Sequence, residues 1–537
     1  MPHSSRYAKH LKHFGGSDPN RALGGILRGV EKESLRVTPA GALAQTEHPR
    51  ALGSALTHPH VTTDYSEALL EFITEPFNRV GSILQQLDRI HRYTYASIGD
   101  ELLWPASMPC SLGDDAQIPV ARYGSSNSGT MKTVYRLGLG HRYGRKMQTI
   151  AGVHYNFSLP DEFWRELQVQ EGDQQSLQEY KTQRYFDLIR NFRRHFWLLI
   201  YLFGAAPAVS RSFVEGREHQ LEPFGDDRET FYSPYATSLR MGDLGYQSAA
   251  QQSLLVCYND LPSYLNTLCG AITRPHPDYQ AVGVKDAQGH YQQLNTSLLQ
   301  IENEFYSSVR PKRTTRFGET ALQALRLRGV EYVEVRCVDL DPYHPLGIGS
   351  EQMHFMDAFL IHCLLSDSPI TEQQEYRHIQ ENQKRIVYRG REPGLKLWNG
   401  GGERAMDEWA RELLEEMSDC AALLDQSQGD GHFRAAVEHQ KAKLGHPELT
   451  PSARILADMK QQGVSFSRLV MKLAEQHRKD FEDRPLTPES LGAHRHLAEV
   501  SLADQQALEQ AEGVTFEEYL RRYYEQYRCC QESPQPC

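Results

Sequence analysis

Glu31 and Glu33 stand two residues apart in the stretch Arg28-Gly-Val-Glu-Lys-Glu-Ser-Leu-Arg-Val37. If that stretch is extended, both carboxylates leave one face, about 6.6 Å apart at a strand rise of about 3.3 Å. That separation suits two carboxylates holding neighbouring metal ions, which lie about 3.5–4 Å apart in two-metal sites. Val30, Lys32 and Ser34 then fall on the opposite face. Alone, such a pair marks no more than a solvated strand face. Further groups change that reading. Glu71 interrupts the apolar run of Leu69, Leu70, Phe72 and Ile73, read as a buried strand with a helix pairing Glu67 and Glu71 as the alternative. A carboxylate placed there needs a metal ion or an arginine, because an unpaired buried charge is expensive. Asp64, at the mouth of the same segment, is a further candidate. In Gly152-Val-His-Tyr-Asn-Phe-Ser-Leu159, alternation puts His154, Asn156 and Ser158 on one strand face, and histidine is a common metal ligand. In Glu331-Tyr-Val-Glu-Val-Arg336, Glu334 and Arg336 share a face, where they suit a metal ion and a phosphate side by side.

Arg136, Arg240 and Arg336, with the Arg310–Arg313 cluster, complete the set as phosphate-binding cations. Oxygen ligands dominate and no thiolate joins them, which favours Mg²⁺ or Mn²⁺. Several hard cations with arginines are what a nucleoside triphosphate requires as its phosphoryl group moves. Neither a GxxxxGK[ST] loop nor a kinase-type glycine loop occurs, so the nucleotide needs another fold. Spacing points to phosphoryl transfer on a sheet and leaves the substrate unnamed.

The elements that must position these residues are strands first and helices later, an α+β order. Thr38-Pro-Ala-Gly41 reads as a turn between hairpin strands. Residues 81–98 have helical periodicity, 104–144 read as loop, and 176–203 read as one long helix ending at Gly204. Tyr135 lies in the loop-like stretch, which leads on to Gln148. Tyr246 and Tyr306 lie in later segments that mix aromatic, polar and small residues. Beyond Asp341, five segments (352–366, 406–424, 433–444, 465–481 and 516–527) carry helical apolar spacing. Gly400–Gly402 reads as a loop and not a phosphate cradle, since no strand–loop–helix context surrounds it.

A chain of 537 residues with 39% apolar and 24% charged content is an ordinary globular composition. Its formal charge of −11 argues against a nucleic-acid partner. No signal-like stretch opens it, and its longest apolar run, 196–203, is too short for a membrane span. Nine cysteines without CxxC spacing suit a reducing compartment, with Cys363 expected in the core. Cys529, Cys530 and Cys537 fall in a polar tail, 529–537.

The ordered motifs then add what spacing cannot. Arg28-Gly-Val-Glu-Lys-Glu-Ser-Leu-Arg-Val37, Leu52-Gly-Ser-Ala-Leu-Thr-His58 and Thr63-Asp-Tyr-Ser-Glu-Ala-Leu-Leu-Glu-Phe-Ile-Thr74 are the first three. Ser107-Met-Pro-Cys110, Gly152-Val-His-Tyr-Asn-Phe-Ser-Leu-Pro160, Pro234-Tyr-Ala-Thr-Ser-Leu-Arg240 and Arg310-Pro-Lys-Arg313 follow. Together they resemble the proteobacterial type of glutamate–cysteine ligase, from about Leu23 to beyond Pro345. The resemblance implies a glutamine-synthetase-like curved antiparallel sheet forming an active-site funnel, with a helix-rich C-terminal portion. It implies one ligase domain over 1–528, with a strand-rich core about 23–345 and a helical part about 346–528.

The implied reaction joins the γ-carboxylate of L-glutamate to the amine of L-cysteine at the expense of ATP, through a γ-glutamyl phosphate. Glu31, Glu33, Glu71 and Glu334 match the family's magnesium-binding glutamates, and Asp64 and His154 match residues beside them. Arg136, Arg240 and Arg336 match arginines at the phosphoryl group and the glutamate, and Gln148 matches a glutamate contact. Tyr135, Leu139, Tyr246 and Tyr306 match the pocket for the cysteine side chain. A cytoplasmic monomer inhibited by glutathione is the accompanying expectation. The rival readings are a related carboxylate–amine ligase with another acceptor, and a non-catalytic nucleotide sensor on the same fold.

Overall fold

A computed structural model describes residues 5–226, 228–245, 251, 254–316, 318–511 and 513–528. Its centre is an antiparallel sheet. Strands β1 (Leu27–Val37), β2 (Val61–Thr63), β3 (Leu69–Ile73), β4 (Leu102–Leu103) and β5 (Val153–Ser158) come first. A separate three-stranded sheet follows, formed by β6 (Ala208–Ser210), β7 (Glu222–Phe224) and β8 (Thr230–Tyr232). Strands β9 (Val309–Lys312) and β10 (Tyr332–Val338) return to the main sheet, whose order is β2-β3-β1-β5-β10-β9, with β4 also paired to β1.

Register decides which side chains meet. Glu33 lies opposite Glu71 on β3, Glu31 opposite His154 on β5, and Glu334 of β10 opposite both Asn156 and Arg310. The strand reading of Glu71 is therefore the one realised. Because side chains alternate, the other face carries Val30, Leu70, Phe72, Tyr155, Phe157, Val309, Val333 and Val335, all fully buried. Each such side chain contributes about 1.5–3 kcal/mol on burial, so this face anchors the sheet on its helical backing. That backing includes the helices Val80–Tyr95 and Ser350–Leu365; the latter is buried almost all round. One apolar core runs from Tyr7 to Tyr527.

The turn at Thr38–Gly41 is present, with Gly41 at φ 81° and a Thr38 N–H···O Ala42 bond of 2.8 Å. Two segments differ from expectation. The stretch read as loop holds a helix, Asn127–Tyr143, capped by the Ser126 hydroxyl, which accepts from Gly129 N–H at 3.1 Å. Its glycines answer to close packing and not to turns. A Cβ at Gly138 would lie 2.2 Å from Gln300 Oε1, and one at Gly140 would lie 2.5 Å from the Tyr65 hydroxyl. The long helix over 176–203 is two, Leu177–His195 and Trp197–Phe203, joined at Phe196 with no proline or glycine to mark the break. Gly400 and Gly401 form the tip of a hairpin between β11 (Lys396–Asn399) and β12 (Gly402–Ala405).

Cys110, Cys337, Cys363 and Cys420 are buried free thiols, Cys363 in the core as expected. Cys257 and Cys269 each take part in a disulfide, which departs from the expectation of a reducing compartment. The tail at 529–537 lies outside the described residues, and no helix among those described is long and apolar enough to cross a membrane.

Candidate active site

The charged face of the sheet gathers most of the carboxylates. Glu31 accepts from Asn156 Nδ2 at 2.8 Å, and its other oxygen lies 3.1 Å from His154 Nδ1. Glu33 accepts from the Gly152 N–H at 2.6 Å and stands 3.6 Å from His154 Nε2. That Nε2 is buried and makes no hydrogen bond. On β10, Glu334 faces Arg336 at 3.2 Å, Lys312 at 3.3 Å and Arg310 at 3.8 Å. Ligand atoms of Glu31, His154 and Glu334 all lie within 4.8 Å of one another.

Electrostatics divides these acids. Burial pushes Glu334 up, but Lys312, Arg336 and Arg310 outweigh it and hold the carboxyl well below its ordinary range. Burial likewise raises Glu31, and the hydrogen bond with His154 leads the opposing effects that leave it lowered. Glu71 goes the other way: burial first, then the charges of Glu31, Asp64 and Glu33, raise it well above the ordinary value. Glu33 is raised too, by burial and then by Asp64, against His154, Arg240 and Arg336. Crowded carboxylates that resist ionisation together, beside an unsatisfied imidazole nitrogen, are a donor set that fits a hard divalent cation.

The arginines divide as well. Arg336 Nη1 reaches both Glu334 and, at 3.4 Å, His154 Nδ1. Arg240 is buried beneath, donating to the Arg336 carbonyl at 2.8 Å and lying 3.6 Å from Asp339. It fills the space under Gly152, where a Cβ would lie 2.0 Å from its Nη2. Arg136 donates to the carbonyls of Asp64, Thr63 and Lys132, its guanidinium 4.5 Å above the Tyr123 ring. Asp64 meets it through this backbone carbonyl. Of the basic cluster, Arg310 donates to the carbonyls of Asn303 and Phe305, while Arg313 turns away to Gly329, Arg328 and Gln178.

At the other end of the site, Gln148 Nε2 donates to the Tyr306 hydroxyl at 2.8 Å. Tyr135 and Leu139 come from the unexpected helix, one turn apart, with Leu139 buried. Tyr246 lies outside the described residues. Sequence reading missed the network behind them. Gln251 accepts from Tyr306 N–H at 3.1 Å and donates to the Tyr143 hydroxyl at 3.0 Å. Glu304, fully buried, accepts from Tyr143 at 2.6 Å, Arg142 at 2.9 Å and Gln300 N–H at 2.6 Å. Glu304 stands two residues before Tyr306, and that proximity was the available signal. A cavity of about 490 Å³ opens at this end, bordered by Arg240, Tyr306 and Arg336.

With this geometry in place, the comparisons are specific. The glutamate–cysteine ligase family profile matches residues 11–386. The glutamate–cysteine ligase of Saccharophagus degradans is 53% identical over 521 residues, 96% of this chain and 98% of that protein. The one from Pseudomonas aeruginosa is 50% identical over 520 residues, 97% of this chain and 98% of that protein. A crystal structure of the glutamate–cysteine ligase of Francisella tularensis in complex with AMP matches with a TM-score of 0.88. Identity there is 35%, covering 94% of this chain and 99% of that one. The chain belongs to the glutamate–cysteine ligase family.

Proposed function

We propose that the protein joins the γ-carboxylate of L-glutamate to the amine of L-cysteine, coupled to conversion of ATP to ADP and phosphate. The observation that carries this reading is the Glu31–His154–Glu334 cluster with Arg336 beside it, on a chain of this family. Glu31, Glu33, Glu71, His154 and Glu334 would hold Mg²⁺, or Mn²⁺, which when bound offsets charge on the ATP phosphates. The AMP in the Francisella structure supports a nucleotide substrate for this chain.

In the first step a glutamate γ-carboxylate oxygen attacks the γ-phosphorus of ATP, the bond to the bridging oxygen breaks, and ADP leaves. Arg336 is placed to stabilise charge on the transferred group, with Arg240 holding the Arg336 backbone from behind. Arg136 contributes its positive charge from the Asp64 side. In the second step the cysteine amine attacks the acyl carbon, loses a proton, and phosphate departs. Gln148 orients the glutamate, and Tyr135, Leu139, Tyr246 and Tyr306 form the wall for the acceptor's thiol side chain. Gln251, bonded to the Glu304 carbonyl and to the Tyr306 N–H, acts as a positioning residue for the Tyr306 backbone. A monomer with product inhibition by glutathione accompanies this reading.

ADP release by pure protein with Mg-ATP and glutamate, with cysteine present, omitted or replaced, tests it. Strong dependence on cysteine with a γ-linked dipeptide by mass spectrometry is expected. Preference for a different amine would move the specificity, and absence of turnover with every acceptor would overturn the reading.

A further inference from the structure

The cavity that opens at Arg240, Tyr306 and Arg336 runs on to a second group of cations. Its lining includes Arg193, in the last turn of the helix Leu177–His195, with Arg377 and Lys384 on the helix Gln373–Arg389. None of Glu31, His154 or Glu334 borders it, although Arg336 does. Of the charged residues lining it, five are basic (Arg193, Arg240, Arg336, Arg377 and Lys384) and one, Glu381, is acidic. Glu381 is already committed to Arg385 at 2.9 Å, and nearby Glu375 to Arg194 at 2.6 Å.

Arg193 is held in an unusual way for a cation beside a cavity. Its guanidinium lies 4.4 Å from the centre of the Tyr258 ring and 4.7 Å from that of Tyr376. Two aromatic contacts fix the plane of the group and leave its N–H donors, which lie in that plane, for a partner. Among the described residues, neither Arg193, Arg377 nor Lys384 makes a side-chain hydrogen bond or ion pair. A planar fork oriented before the ligand arrives matches a carboxylate in two-point geometry and loses little freedom on binding.

We propose that this group of cations is a carboxylate subsite for the amino-acid acceptor, and that Arg193 sets the preference for acceptors bearing an α-carboxylate. The inference rests on the ligase reading. It adds a part of the acceptor that reading leaves without a partner: the thiol wall includes Tyr306, and Tyr306 and the Arg193 guanidinium line the same cavity. Arg377 and Lys384, exposed on their helix, supply attraction at the rim and no fixed geometry.

The test compares cysteine with cysteamine, which keeps the amine and thiol and lacks the carboxylate, by ADP release at saturating glutamate and ATP. Wild type is expected to prefer cysteine in kcat/KM. Arg193→Gln should raise KM for cysteine roughly ten- to a hundredfold, the effect of losing a charged hydrogen bond. The cysteine-over-cysteamine preference should collapse by the same factor, and KM for glutamate should not follow. Arg193→Lys should recover part of the preference, since it keeps charge without the fork. The double variant Arg377→Gln with Lys384→Gln, on an exposed face, should raise KM for cysteine by a smaller factor. An unchanged cysteine/cysteamine ratio in folded Arg193→Gln, or a rise in KM for glutamate or ATP instead, overturns the subsite. If Arg193→Gln does not fold, an unchanged KM for cysteine in the double variant overturns it. No turnover by wild type would overturn the ligase reading itself and this proposal with it.

Discussion

The two faces of β1 treat buried charge in opposite ways. Arg28, Lys32 and Arg36 point back into the protein, and Glu31 and Glu33 point forward. At the back, each arginine has a carboxylate partner, although Arg28 Nη2 and Arg36 Nε are buried without a hydrogen bond among the described residues. Arg28 donates to Asp357 at 2.7 Å and to the carbonyls of Ile26 and Asn78. Arg36 donates to Glu101 at 2.7 Å and to the carbonyls of Thr46, Glu47 and Glu67. Lys32 has no carboxylate; it sits 2.7 Å from His91 Nε2, and burial pulls its pKa down to about 7. At the front, carboxylates crowd one another, and two of them, Glu33 and Glu71, are pushed upward. The back face supplies its arginines with carboxylates from within the protein and serves stability. On the front face positive charge gathers around Glu334, and Glu33 and Glu71 are left where a bound cation would offset their charge.

Substitutions on the two faces should therefore separate activity from stability. The largest effect expected is Glu334→Gln, with kcat falling at least about 10³-fold, beyond the usual loss of a single transition-state donor. Its circular dichroism should stay near wild type while its melting temperature falls, because Lys312, Arg336 and Arg310 lose a buried partner; near-normal turnover would break the assignment of the front face. Arg28→Met strands Asp357 in the core and should cost about 3–5 kcal/mol in urea unfolding, as for a broken buried ion pair. The fraction that remains folded should keep its turnover rate.

Arg336→Lys keeps the charge and loses the planar fork, so kcat should fall about a hundredfold at unchanged stability. A wild-type rate would remove Arg336 from the phosphoryl end. Lys32→Met should change turnover least, and its effect on stability should depend on pH. Between about pH 7 and 10.5 folded Lys32 is neutral while the unfolded side chain still binds a proton. Stability from this group therefore rises with pH through that window. The methionine variant should lack the rise, and urea midpoints across the window read it directly.

Much of the front face was legible in advance because a strand's period is two: Glu31 and Glu33, His154, and Glu334 with Arg336 were each placed on one face from alternation alone. The pairing of the strands was not legible, since Glu33 meets Glu71 only through the register of β1 with β3. The helix Asn127–Tyr143 was hidden because its glycines read as turn formers. What they serve is the approach of Gln300 and Tyr65, residues distant in sequence. The same long-range packing concealed the Glu304 network and the Arg193 stack, whose tyrosines come from two separate segments. Arg240 and Arg136 were picked out as cations, yet only the structure shows them spending donors on backbone carbonyls.

The most direct measurement of the front-face account is electron paramagnetic resonance of Mn²⁺ titrated with a non-hydrolysable ATP analogue, into wild type and Glu334→Gln side by side. Saturable binding by wild type, weakened about tenfold or more in folded Glu334→Gln, is the expected result. Equal binding by the two proteins would contradict the claim that this face of the sheet gathers the cation.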